Sequence, residues 1–215
     1  MIHTYPKRKW YVLNYLVPSM LKQGINKEDI IIVSDERNIG NLRAFIESLR
    51  MIGEDTWHLQ DDIIICSDFK KRTEVYSYLN TIVCGFVHYD FNNGSTLCTE
   101  FTNPKFMFMS FPCIFIPVYY AQEFIRWISD ENTIKKHQEL INTNKNDDLL
   151  FYKYFNEKHK DIKIYNCKPC LVDHIDYLIG GSSINRREYE GQQVRAYYWN
   201  EDNLVNDLKK DLEGE

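Results

Sequence analysis

Trp57-His58-Leu59-Gln60-Asp61-Asp62-Ile63-Ile64-Ile65 is a short apolar run that drives into two adjacent carboxylates and then resumes. Two acids side by side repel each other and are costly to desolvate, so folding alone gives little reason to place them at a strand end. A bound divalent cation supplies a reason. Hard cations such as Mg²⁺ or Mn²⁺ take carboxylate oxygens and often hold a substrate diphosphate as well. The competing reading is an acidic turn left in solvent between two buried segments.

The neighbouring segments bear on that choice. Met1 to Tyr5 reads as a short first strand closed by Pro6. Lys9 to Gln23 carries Trp10, Leu13, Leu16, Val17, Met20 and Leu21 at helical spacing, with Pro18 predicting a kink or an early stop. Ile30-Ile31-Ile32-Val33 is a β-branched run of the kind found in buried parallel strands, ended by Ser34-Asp35. After Asn38-Ile39-Gly40-Asn41, an amphipathic helix carries Leu42, Phe45, Ile46 and Leu49 on one face. The order is βαβ, and in an open α/β sheet ligands gather outside the C-terminal strand ends. Three such ends, His3-Thr4-Tyr5, Ser34-Asp35 and Gln60-Asp61-Asp62, are polar and are expected on one edge of the sheet.

Further along, Ser67 is placed to cap a helix running to about Leu79, and Thr81 to Val87 reads as a strand. His88 to Pro104, with Asn92-Asn93-Gly94, reads as a loop or hairpin; Phe106 to Met109 and Pro112 to Pro117 are strand-like. Tyr119 to Ile128 has helical spacing, a further helix follows Asn146, and Ile162 to Tyr165 makes a late strand. Asn200 to Glu215 is a charged tail with little core, expected to dock loosely or fray. The chain shows no internal repeat or low-complexity linker, and 215 residues suit one α/β domain.

The bulk composition is that of an ordinary globular chain, with 44% hydrophobic and 27% charged residues. A net charge of −5 gives no support to steering of nucleic acid. Aromatics concentrate between residues 85 and 127, where they suit a core or walls that stack on sugars and bases. Six cysteines sit mostly inside apolar runs, as buried thiols do in a reducing compartment. Cys167-Lys168-Pro169-Cys170 is a lone CxxC with no second pair at zinc spacing. With no signal peptide and no apolar run of membrane-spanning length, the expected location is cytoplasmic.

Together these motifs resemble nucleotide-sugar-dependent glycosyltransferases of the GT-A fold. Ile2-His3-Thr4-Tyr5 through Arg8, with Pro18-Ser19-Met20-Leu21 and Gln23-Gly24-Ile25, is similar to the first strand and helix of such enzymes. Asp35 stands where the family uses a carboxylate to hold the nucleotide base or ribose. Gln60-Asp61-Asp62 resembles the DxD motif with Gln in the first position. The resemblance makes Asp62 the metal ligand and gives Asp61 part of the first acid's work. Asn146-Asp147-Asp148-Leu149-Leu150-Phe151 is similar to the acidic motif that opens a helix in inverting members, where one carboxylate is the general base. Pro169-Cys170-Leu171-Val172-Asp173-His174 resembles the late segment whose His approaches the metal or the diphosphate.

The resemblance therefore implies one GT-A (Rossmann-like) domain over 1–215, with a mainly parallel sheet flanked by helices. Residues to about 110 would hold the nucleotide sugar, about 111–199 would serve the acceptor, and 200–215 form the tail. The expected activity is metal-dependent, inverting transfer, with Mn²⁺ or Mg²⁺ and a UDP-sugar donor. A saccharide or glycolipid is the expected acceptor, with a modified base in phage DNA as the alternative. Developing charge on the departing diphosphate calls for a cation on Asp62 and for His174 as a ligand or proton donor. Asp148 is the expected base and Asp147 its competitor, although acids also favour a helix's first turn for its dipole. Thr4, Tyr5, Arg8, Asp35, Arg43 and Asp61 are the candidate contacts to the nucleotide and its diphosphate. Phe111, Tyr119 and Tyr120 are candidates for the sugar or acceptor pocket. A nucleotidyltransferase also uses strand-end acids, but Thr4-Tyr5-Pro6-Lys7-Arg8 has no glycine for a phosphate loop. Gln60 is the residue that favours a non-catalytic nucleotide-sugar-binding protein.

Overall fold

In the computed structural model, the described residues are 1–87, 98–101, 111–144, 147–180, 195–196 and 198–214. Most of the hairpin expected at 88–104, the strand expected at Phe106 to Met109, and Asn146 lie outside them. Strand β1 (Ile2–Thr4) leads through a single 3-10 turn into one helical rod, composed of α1 (Lys9–Tyr11), a π-helical turn (Val12–Leu16) and α2 (Val17–Lys22). Pro18 neither stops nor removes this helix. Proline lacks an N–H and its ring crowds the carbonyl four residues back; the widened turn before it, closed by Val17 N–H to Val12 O, makes the room.

β2 (Ile32–Ser34), α3 (Asn41–Met51), β3 (Thr56–Gln60), β4 (Ile63–Ile65), α4 (Phe69–Ser77) and β5 (Val83–Cys84) follow. After β6 (Cys98–Phe101) and β7 (Cys113–Ile116) come four helices: α5 (Val118–Ile128), α6 (Glu131–Lys136), α7 (Gln138–Thr143) and α8 (Asp147–Lys158). The chain closes with β8 (Ile164–Cys167), β9 (Val172–His174), α9 (Asp176–Ile179) and α10 (Asp202–Glu213).

Among the described residues, seven strands form one sheet in the order β2-β1-β3-β7-β5-β8-β6, and β4 pairs with β9 in a separate ribbon. The expected mainly parallel sheet is instead mixed. β2-β1-β3 and β5-β8 run parallel, whereas β7 lies antiparallel between β3 and β5, and β6 is antiparallel to β8. The α/β class holds, with helices on both faces. Alternation along β7 sends Cys113 and Phe115 to one side with Tyr11, Phe69 and Leu208, and Ile114 and Ile116 to the other with Leu42, Phe124 and Phe151.

Four local expectations are corrected. Ser67 does not cap α4, whose N-cap position is Asp68, and the strand expected over Thr81 to Val87 is limited to Val83–Cys84. The Ile30 to Val33 run forms the outer strand β2, only half-buried, with Ile31 40% exposed, because β-branching favours a strand without distinguishing an edge from a centre. The tail is no frayed end: α10 buries Val205 and Leu208, and Asp202 pairs with Arg195 at 2.7 Å.

Candidate active site at the strand ends

The parallel register sets the site. Thr4 lies opposite Ser34 and His3 opposite Gln60, so the three polar strand ends sit side by side. A cavity of about 380 Å³ opens there, walled by Thr4, Tyr5, Arg8, Asp35, Asp61, Asp62, His174 and Asp147 among others. A larger space of about 740 Å³ lies between α2, α4 and α10. Its rim mixes Lys22, Lys70 and Lys71 with Glu74, Asp207 and Asp211, which converge on no common ligand chemistry.

At the polar end of the strand-end cavity, the two acids divide the work. Asp61 accepts the Tyr5 N–H at 2.6 Å through Oδ2 and Arg8 Nη1 at 3.0 Å through Oδ1, so it fastens the end of β1 to the end of β3. Asp62 Oδ2 meets the same Arg8 nitrogen and His174 Nε2, the latter at 3.1 Å. His174 arrives because β9 pairs antiparallel with β4, placing it opposite Ile63, while Ile175 N–H donates to Asp62 O at 2.8 Å. Behind the ring, Asp176 Oδ1 lies 3.5 Å from His174 Nδ1.

The charges are uneven. Burial opposes ionisation of Asp62, but the hydrogen bond and charge of His174 and the Arg8 guanidinium outweigh it and hold the carboxyl at about 2. Burial and the Asp62 charge push Asp61 up, against Arg8 and the Tyr5 N–H. Burial works against a charged His174, yet Asp62 and then Asp176 prevail and raise its pKa.

A divalent cation would draw on Asp62 and His174, and these residues fit it. Their facing atoms, 3.1 Å apart, are hydrogen-bonded to each other, so an ion held by both would displace the imidazole proton. Asp62 Oδ1 is buried with no hydrogen-bond partner among the described residues; Asp176 faces the imidazole at ion-pair distance only, and His174 Nδ1 likewise has no hydrogen-bond partner among them. Arg8 already neutralises both acids, so an ion here shares Asp62 with the guanidinium. A separate group, Cys66, Asp68 and Glu201, offers poorer ligands: burial pushes the Cys66 thiol to about 12, and Glu201 Oε2 accepts the Ser67 N–H at 2.9 Å.

The remaining candidates separate. Asp35 reaches the cavity wall, but its oxygens also accept Ile39 N–H at 2.8 Å and Gly40 N–H at 3.1 Å, which ties the loop into α3. Arg43 lies on the exposed side of α3 and does not line the cavity; its backbone N–H is held by Asn144 Oδ1 at 3.1 Å. On α8 it is Asp147 that lines the cavity, whereas Asp148 Oδ1 accepts its neighbour Leu149 N–H at 2.7 Å. Burial, then the charge of Asp148, lifts Asp147 to about 7, within reach of a general base at neutral pH. Phe111 lines the cavity; Tyr119 and Tyr120 do not, and pack against His159 instead.

His58 was not among the candidates read from the sequence, and His3 entered only as part of a polar strand end; both are on the cavity wall. Their signal was there in the alternation: His58 and Gln60 share a face of β3, and His3 stands opposite Gln60. Five described cysteines are free and buried, as expected, including Cys167 and Cys170 of the CxxC pair. No described helix is long and apolar enough to cross a membrane. Compared with known proteins, the chain matches no family model and no curated protein.

Proposed function

We propose that the chain transfers a sugar from a nucleoside diphosphate sugar, with UDP as the expected carrier, in an inverting, metal-assisted reaction of the GT-A type. One observation carries the reading: a single cavity joins a cationic and acidic cluster at three parallel strand ends to a carboxylate poised near neutrality on α8. The resemblance of the strand-end and helix motifs to this class, carried by the same residues, agrees with it.

In this mechanism, Arg8 and the β1 end orient the diphosphate. Asp62 and His174 would hold the cation, which supplies charge stabilisation to the departing diphosphate. Asp147 in its ionised form accepts the proton of the acceptor hydroxyl as that oxygen bonds to the anomeric carbon and the bond to the β-phosphate oxygen breaks. The products are the glycoside, the nucleoside diphosphate and a protonated Asp147, which returns its proton to solvent. Asp61 holds Arg8 and Tyr5 in place and moves no proton.

The test is donor turnover across common nucleotide sugars with Mn²⁺ or Mg²⁺, for wild type and Asp62→Asn. Hydrolysis or transfer from one donor, lost in the variant, is expected. Neither turnover nor nucleotide binding with any donor contradicts the proposal. Tight binding with no turnover favours a nucleotide-sugar-binding protein.

A further inference from the structure

The floor of the same cavity holds a polar pair that the transfer mechanism does not use. His3 Nε2 and His58 Nδ1 lie 3.0 Å apart, and Ser48 Oγ approaches His3 Nε2 at 3.5 Å. Ser48 Oγ is also 2.6 Å from Phe45 O, so its one proton goes to that carbonyl and the oxygen turns an acceptor face to His3. With the 3.5 Å Ser48 contact taken as a hydrogen bond, His3 Nε2 carries the proton that it shares with His58 Nδ1. The reverse tautomers would leave Ser48 one proton for two acceptors. It follows that the neutral His58 ring carries its own proton on Nε2. That nitrogen is buried with no hydrogen-bond partner among the described residues, on a side chain only 1% exposed.

A buried N–H left without an acceptor costs stability unless something fills the need. Both rings stay neutral. Burial, then the N-terminal ammonium, brings His3 down to about 3, and burial with His3 lowers His58 well below its ordinary range. A neutral donor suits an uncharged acceptor, and the adjoining Phe45 and Phe111 rings, 5.1 Å apart, suit a flat group more than a phosphate.

Resting on the nucleotide-sugar reading above, we infer that His58, through Nε2–H, recognises an uncharged acceptor oxygen on the nucleoside, either a base carbonyl or a ribose hydroxyl. His3 and Ser48 are positioning residues that set its tautomer. A site that hydrogen-bonds its ligand rejects analogues lacking the acceptor, so His58 selects against ligands without that oxygen.

The experiment is calorimetric titration with UDP, CDP, GDP and ADP, each with Mg²⁺, of wild type, His58→Phe and His58→Gln. The phenylalanine variant keeps the ring and is expected to lose roughly tenfold in affinity for the preferred nucleotide, the size of one hydrogen bond. The glutamine variant keeps an N–H donor and recovers part of it. A loss confined to one base assigns a ring carbonyl, and an equal loss across all four assigns a ribose hydroxyl; both support the inference. Wild-type affinities in both variants overturn it while leaving the nucleotide site standing. A wild type that binds none of the four overturns the nucleotide reading and this inference with it. Nitrogen NMR of the wild type is independent of variant folding. The His58 Nε2 signal is expected to be protonated and to move on nucleotide saturation, and an unmoved signal overturns the inference.

Discussion

Asp147 and Asp148 are adjacent in sequence yet face different surroundings, and that difference is why the proposed mechanism uses Asp147 as the base. Asp147→Asn is expected to abolish turnover while nucleotide affinity stays within a fewfold, and Asp148→Asn to leave turnover largely intact; the reverse pattern would move the base by one residue. The wild-type rate should rise with pH through about 7 as Asp147 ionises. Stability carries the opposite sign. With its folded pKa lifted from 3.8 to about 7, Asp147 costs nothing below 3.8, costs increasingly as pH rises between the two values, and costs a constant amount above. Asp147→Asn should therefore melt higher than wild type at pH 8, with the gap closing towards pH 4. Arg8 shows the converse case. It is the counter-charge to two buried acids, with side chains 7%, 7% and 10% exposed. Arg8→Met strands them, and denaturant unfolding should show a loss of about 3–5 kcal/mol.

At the scale of elements, the loop between β2 and α3 is held from both ends. Asp35 accepts its N–H groups, and Asn144, itself left-handed at φ 53°, donates to Ile39 O and accepts from Arg43 N–H. Gly40 sits between them at φ 91° and ψ 158°, a conformation essentially reserved for glycine, and a Cβ there would run into the Asn144 side chain. Gly40→Ala should cost about 1–3 kcal/mol in denaturant unfolding and weaken nucleotide binding, because this loop lines the cavity. The elements themselves were largely legible: β1, β3, α3, α5 and α8 follow from periodicity and punctuation. The β4–β9 ribbon was not. Its strands are three residues each and pair across more than a hundred residues, so neither carries a local signal, yet the ribbon is what brings His174 to Asp62. The tail was misread for a similar reason, since two buried residues in a charged helix look like solvent face until their partners are known.

For the whole molecule, the strand-end rule anticipated where the candidate cavity opens, because β1, β2 and β3 are parallel neighbours and their ends converge. Occupancy within it was harder to read. Arg8 was named as a diphosphate contact, but its grip on Asp61 and Asp62 depends on the register of β1 against β3, which the chain does not spell out. The His3–His58 pair was hidden because a histidine inside an apolar strand looks like core. A net charge of −5 leaves an acceptor other than nucleic acid as the simpler expectation. The proposed function requires that Asp62 and His174 meet on one ion beside a nucleoside diphosphate. The most direct measurement is a crystal structure after soaking with Mn²⁺ and a UDP-sugar, using the anomalous signal of manganese. A peak bonded to Asp62 and His174, with the diphosphate against it, is expected. Bound nucleotide with no peak there, or a peak on other residues, would contradict the proposed function.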